Sequence, residues 1–225
     1  MNRRVYFLDL DGTLIDPSIG LKACTRHALE ALDRSCPADE VLTSFIGPPL
    51  RQMFSTLLES EDSQLIEDAV DLFRQRYRER FLVETRLYED IPGMLQRART
   101  GASAMFVATS KPATFAERIL DHFQIAPYFS GVYGNGLDGR FDDKADLIGH
   151  ALAAEGIPPD AALMIGDRAV DVVAANAHGI PTIGVLWGYG SRDELHEAGA
   201  ARLCETPREL AEYLSQTSSP QTMGE

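Results

Sequence analysis

The segment Val5-Tyr6-Phe7-Leu8-Asp9-Leu10-Asp11-Gly12-Thr13-Leu14-Ile15 constrains this chain more than any other. Its apolar start reads as a strand buried on both faces, as in a parallel sheet. Side chains along a strand alternate with period two, so a regular strand would point Asp9 and Asp11 the same way; Gly12 ends that regularity at once. The pair is therefore expected at the carboxyl end of a strand, the edge where open α/β sheets bind ligands. Adjacent carboxylates repel, and holding both costs stability unless a cation or a shared proton offsets them. An acidic, solvated turn is the plain alternative, and the recurrence of other site pieces downstream argues against it.

The chain has 225 residues, enough for one large domain or a domain with an insertion, and its hydrophobic fraction of 44% is ordinary for a globular protein. A formal charge of −13 with no basic run excludes a nucleic acid polymer as the expected partner, because phosphate backbones are bound by clustered Lys and Arg. No apolar run reaches the length of a membrane span, and no apolar signal segment precedes the first strand. Cys24, Cys36 and Cys204 are odd in number, scattered and without metal-ligand spacing. They read as free thiols, so a cytoplasmic location without membrane attachment is expected. No close pair occurs among the five histidines.

The strand signal is followed by helical periodicity alone. Leu21, Cys24, Ala28, Leu29 and Leu32 share one face, and Val41, Leu42, Phe45 and Ile46 extend the pattern to a break at Gly47-Pro48-Pro49. Ser63 is the expected N-cap of a long amphipathic helix carrying Leu65, Ala69, Leu72, Phe73, Tyr77 and Phe81. After Tyr88, strands (102–108, 129–133, 161–165, 182–186 and 202–204) alternate with helices. Alternation of this kind predicts an α/β fold, a Rossmann-like parallel sheet covered on both faces. The expected organisation is a catalytic core of residues 1–15 and 88–215, an inserted helical cap of residues 16–87, and a polar, disordered tail of residues 216–225. Both connections to the cap lie near Asp9 and Asp11, so a hinge there would close it over the carboxylates.

Three further polar groups follow predicted strands: Thr109-Ser110-Lys111, then Lys144 at a helix start, then Gly166-Asp167-Arg168-Ala169-Val170-Asp171. In a parallel sheet these ends share one edge. Each is weak alone, since Gly-Asp after a strand is often a helix N-cap and a lone Lys at a helix start is usually solvated. Together they suit phosphoryl transfer. Asp9 is the candidate nucleophile and Asp11 the candidate general acid and base. A carboxylate attacking a phosphate dianion needs its charge neutralised, and Mg2+ suits hard oxygen ligands. Asp9, Asp167 and the Asp11 backbone carbonyl are candidate ligands, with Asp171 either an outer ligand through water or an orienter of Lys144. Asp171 would share a helix face with Asp167 if a helix begins there. Thr109 and Lys144 would hold phosphoryl oxygens, with Gly12, Thr13, Ser110 and Lys111 as further substrate contacts.

The set Asp9-Leu-Asp-Gly-Thr, Thr109, Lys144 and Gly166-Asp167-x-x-x-Asp171 resembles the four signature motifs of the haloacid dehalogenase-like hydrolases, in order and in strand position. The resemblance covers nearly the whole chain apart from the tail. It implies a Rossmann-like core with the first strand central, Mg2+ dependence and an aspartyl-phosphate intermediate. Ser110 departs from the pattern, standing where many relatives carry asparagine. The dehalogenases of the superfamily commonly lack the second aspartate, so Asp11 speaks for phosphate chemistry. Phe45-Ile46-Gly47-Pro48-Pro49-Leu50, Ala108-Thr109-Ser110-Lys111-Pro112, residues 133–139 and residues 184–190 are similar to a phosphoglycolate phosphatase-like group of 5'-nucleotidases. A phosphatase for a small phosphorylated metabolite is therefore expected, a 5'-nucleotide first and phosphoglycolate second. A phosphomutase and a non-catalytic binding protein are the rivals. Arg51, just past the Gly47-Pro48-Pro49 loop, is read either as a contact to the untransferred part of the substrate or as a solvated helix residue.

Overall fold

The computed structural model describes residues 4–47, 49–136 and 140–216. The expected turn at Pro48, the loop through residues 137–139 and the tail from residue 217 lie outside the described residues. The chain divides into two compact units, Met1–Leu14 with Leu87–Glu225, and Ile15–Arg86.

The elements run β1 (Arg4–Leu8), β2 (Ile15–Asp16), α1 (Ser18–Ala31), α2 (Asp39–Ser44), α3 (Leu50–Leu58), α4 (Ser63–Arg80), β3 (Arg86–Leu87), α5 (Ile91–Gly101), β4 (Ala102–Pro112) and α6 (Ala113–His122). They continue with β5 (Gly131–Asn135), α7 (Lys144–Glu155), β6 (Ala162–Gly166), α8 (Ala169–Asn176), β7 (Thr182–Val185), α9 (Arg192–Glu197), β8 (Arg202–Cys204) and α10 (Pro207–Gln216).

Six strands form one sheet in the order β5-β4-β1-β6-β7-β8, every neighbouring pair parallel. This is an α/β fold with β1 at its centre. Central position explains why Val5 to Leu8 carry no charged residue: both faces are covered. Val5 and Phe7 pack with Phe106, Met164, Ile148 and Ala151 of α7, and Ala174 and Ala175 of α8. Phe7 and Phe106 stack with centroids 5.6 Å apart. Tyr6 and Leu8 alternate to the other face and are equally buried. On the remaining helices, α5 packs against α10.

The second unit is helical, with α1 and α3 packed on α4. An aromatic column runs along α4 at i, i+4 spacing: Phe73 stacks on Tyr77 at 5.8 Å and Tyr77 on Phe81 at 5.2 Å, while Phe54 of α3 meets Phe73 edge-on. Strands β2 and β3 pair with each other where the chain passes between the units.

Several local expectations shift. Thr109, Ser110 and Lys111 lie inside β4 rather than after it, because pairing to β5 resumes past them at Pro112 and Asn135 after a register break. Strand β5 starts two residues late, since Ala126–Tyr128 form a 3-10 turn around Pro127. The N-cap of α4 is Asp62, not Ser63; its carboxylate accepts hydrogen bonds from the Gln64 and Leu65 amides. Helix α8 begins at Ala169, so Asp167 and Asp171 do not share a helix face.

Candidate active site and metal centre

The carboxyl ends of β1, β4 and β6 and the first turns of α7 and α8 bring the polar groups together. Asp9 follows β1 directly, and its amide continues the ladder by donating to the Ile165 carbonyl at 2.9 Å. Lys144 is the first residue of α7, whose start is set by Asp143 accepting from the Ala145 amide at 2.7 Å. Its ammonium, 2% exposed, lies 2.7 Å from Asp9 Oδ1 and 2.5 Å from Asp171 Oδ1. Asp171 reaches the site from the first turn of α8, and its other oxygen accepts from the Arg168 amide at 3.0 Å. That turn does what a shared helix face was expected to do.

Asp9, Asp167 and Asp171 each offer a carboxylate oxygen, and these three oxygens lie within 4.8 Å of one another. All three residues are buried. Three carboxylates thus face one ammonium, an excess of two negative charges among largely buried groups. The protonation equilibria show the strain. Burial pushes the Asp167 carboxyl well above its usual range, and repulsion from Asp171 and Asp9 adds to it. Asp171 is raised as well, by burial first, with Lys144 opposing and Asp9 reinforcing. Burial would depress the Lys144 ammonium, but Asp171 and Asp9 outweigh it and hold it above its ordinary value.

A divalent cation fits this donor set. Three hard oxygen ligands with two uncompensated charges match Mg2+ in charge and in ligand type. The close packing of Asp167 against Gly12 explains the glycine: Gly12 has φ +84°, and a Cβ there would collide with the Asp167 carboxylate. Thr13 is fully buried, and its hydroxyl donates to Asp167 Oδ1 at 3.3 Å.

The other candidates fall elsewhere. The Asp11 carboxylate stands outside the three-carboxylate group: Oδ2 pairs with Lys111 Nζ at 2.8 Å, and Oδ1 is buried without a hydrogen-bond partner. Lys111 is thereby engaged with Asp11, and its amide donates to the buried Thr109 hydroxyl at 3.2 Å. Ser110 is half-buried on β4. Arg51, in the helical unit, forms a two-point pair with Glu67 of α4, Nε to Oε1 at 2.5 Å and Nη2 to Oε2 at 3.1 Å.

One contributor is missing from the residue-by-residue sequence reading. The segment after β7 lies against Asp167 and Gly12. The Tyr189 amide donates to Asp167 Oδ2 at 2.8 Å, and the Trp187 indole donates to the Thr13 carbonyl at 2.9 Å. The glycine spacing Gly188-x-Gly190 around an aromatic was its available signal.

The model of the haloacid dehalogenase-like hydrolases matches residues 6–185, and the chain belongs to that family. A 5'-nucleotidase of Pseudomonas aeruginosa is 38% identical over 92% of this chain and 93% of its own length. The tyrosine-protein kinase PtkA of Mycobacterium tuberculosis is 36% identical over 84% of this chain, which spans 64% of that protein. A phosphoglycolate phosphatase of Aquifex aeolicus is 28% identical over 83% of this chain and 86% of its own length. Among solved structures, a predicted phosphatase from Clostridium acetobutylicum superposes with a TM-score of 0.90 at 34% identity, over 96% of this chain and all of that one.

Proposed function

We propose that this protein is a Mg2+-dependent phosphoric monoester hydrolase that cleaves small phosphorylated metabolites, 5'-nucleotides foremost, through an aspartyl-phosphate intermediate. The observation that carries the reading is the contact of Lys144 with Asp9 and Asp171 inside a group of three buried carboxylates. Family membership and the phosphatase-named relatives support the class.

Asp9 attacks phosphorus, and the bond to the leaving oxygen breaks as the Asp9–phosphoryl bond forms. Lys144 aims Asp9 by holding one of its oxygens and offsets its negative charge as it approaches the phosphoryl group. Asp11 gives a proton to the departing alkoxide, then takes one from the water that opens the acyl phosphate. Its unpartnered Oδ1 is the oxygen available for that exchange, with Oδ2 held by Lys111. The Thr109 hydroxyl contacts a phosphoryl oxygen. Asp9, Asp167 and Asp171 are the side chains that would hold Mg2+, which supplies charge neutralisation for the phosphoryl oxygens when bound.

The unit Ile15–Arg86 is assigned the role of a cap that selects substrates. Arg51 contacts the untransferred part of the substrate in this reading. Its pair with Glu67 is about 42% exposed on each side and weak enough to exchange for a ligand. The relative named 5'-nucleotidase favours nucleotides over phosphoglycolate as the preferred class. Among the described residues no helix is long and apolar enough to cross a membrane, and a cytoplasmic location is proposed.

The test is phosphate release from a panel of 5'-nucleotides, sugar phosphates and phosphoglycolate, with Mg2+ or with chelator. Nucleotides should head the ranking, and chelator should stop every reaction. Release that persists in chelator overturns the Mg2+ assignment, and phosphoglycolate at the head of the ranking replaces the substrate.

A further inference from the structure

The carboxylate of Asp167 is held from both sides by parts of the chain that carry no charge. Oδ1 takes the Thr13 hydroxyl and Oδ2 takes the Tyr189 amide. Thr13 is itself tied down, because the Trp187 indole N–H donates to its carbonyl. Between those two tethers sits Gly188, where any Cβ would strike both the Gly12 carbonyl and the Asp167 side chain. The segment 187–189 and the turn 12–13 therefore close on Asp167 with no spare volume. Neither Asp9 nor Asp171 is held by this segment; their partners are Lys144 and the Arg168 amide.

We infer that Trp187, through Thr13, is a positioning residue for Asp167 that presets this carboxylate for a divalent cation. A carboxylate free to rotate would offer its oxygens to a cation in only a fraction of its rotamers, and ordering it on binding would cost affinity. Two fixed donors leave it one orientation, and groups that orient metal ligands in this way commonly change affinity by about 10- to 100-fold when removed. The arrangement places an aromatic residue with no charge and no metal-ligating atom in control of metal affinity.

The inference rests on the reading of Asp167 as a metal ligand, and the experiment separates the two. Trp187 is the chain's one tryptophan, so its fluorescence reports directly on this turn. Mg2+ titration of the wild type should change that emission. Affinities are then measured by calorimetry with Mg2+, and with Mn2+ by electron paramagnetic resonance, for Trp187→Phe, Thr13→Val, Thr13→Ser and Asp167→Asn, each beside a thermal melt.

Trp187→Phe, which keeps an aromatic side chain but removes the indole N–H, should weaken binding about 10-fold or more. Thr13→Val should do the same, and Thr13→Ser should bind near wild type. Wild-type affinity in Trp187→Phe and Thr13→Val, with binding lost in Asp167→Asn, overturns the positioning role alone. Wild-type affinity in Asp167→Asn overturns the metal-ligand reading beneath it. If Trp187→Phe does not fold, the contrast between Thr13→Val and Thr13→Ser decides: equal affinity in the two overturns the inference.

Discussion

Two groups of charges, one in each unit of the molecule, use ion pairs in opposite ways. In the helical unit, Arg76 meets Glu84 through two bonds of 2.7 and 2.8 Å, and Arg80 adds a third contact. Those hydrogen bonds outweigh burial and hold the Glu84 carboxyl below its usual range. Arg51 lowers Glu67 in the same way. Each of these carboxylates has at least one cation in contact. At the carboxyl edge of the sheet, by contrast, three carboxylates share Lys144, and Asp167 and Asp171 are pushed up instead of down. A satisfied pair contributes modestly to stability and needs nothing further. An unbalanced buried group lowers stability until a cation arrives, which is what a binding site for one requires.

The sharpest break in this contrast is Asp9→Asn. It removes the proposed nucleophile while keeping size and shape, so turnover on every substrate should fall by roughly 10^4-fold or more with an unchanged circular dichroism spectrum. Activity near wild type removes Asp9 from that role. Next in size is Lys144→Met, which strands the acidic group without its one ammonium. Urea unfolding in chelator should show a loss of about 3–5 kcal/mol. A loss below about 1 kcal/mol would mean the carboxylates take up protons freely and the excess charge is not real.

The raised carboxyls also fix the sign of a pH effect. Native Asp167 and Asp171 bind protons more tightly than in the unfolded chain, where the value is about 3.9. The native state therefore holds more protons between the unfolded and the native value, and stability falls as pH rises through that window. Metal-free protein should gain melting temperature as pH is lowered from neutrality into it. The gain should be smaller with saturating Mg2+, because the cation replaces the protons. Melting curves with and without chelator check this, and identical pH slopes would contradict it.

The helical unit should respond more weakly. Glu84→Gln loses a charged partner of Arg76 and should cost about 1–3 kcal/mol in urea unfolding, at unchanged Mg2+ affinity. Arg51→Ala is the smallest effect on stability, within about 0.5 kcal/mol, because its pair is half exposed. It should reorder the nucleotide ranking more than it slows a minimal aryl phosphate. Equal losses on both would leave Arg51 outside substrate selection.

Much of the architecture was legible locally. The apolar run before Asp9, the alternation after Tyr88 and the helix start at Lys144 follow from strand period and helix period, each a property of a few neighbouring residues. Because parallel strands share a carboxyl edge, the same local reading put Asp9, Lys144 and Asp167 at one end of the sheet. Where the reading slipped at Thr109–Lys111, pairing with a distant strand set the boundary instead of local preference; at β5 the missed signal was the local 3-10 turn around Pro127.

Sequence alone determined the α/β sheet and the edge at which the polar residues gather, since periodicity and chain direction are written into short windows. Tertiary structure alone decided the partners. It gave Asp11 to Lys111, kept it out of the group of three carboxylates, and closed Trp187 to Tyr189 over Thr13 and Asp167. Those contacts join residues far apart in the chain, where no periodicity reaches and only the packed volume decides which donor meets which oxygen.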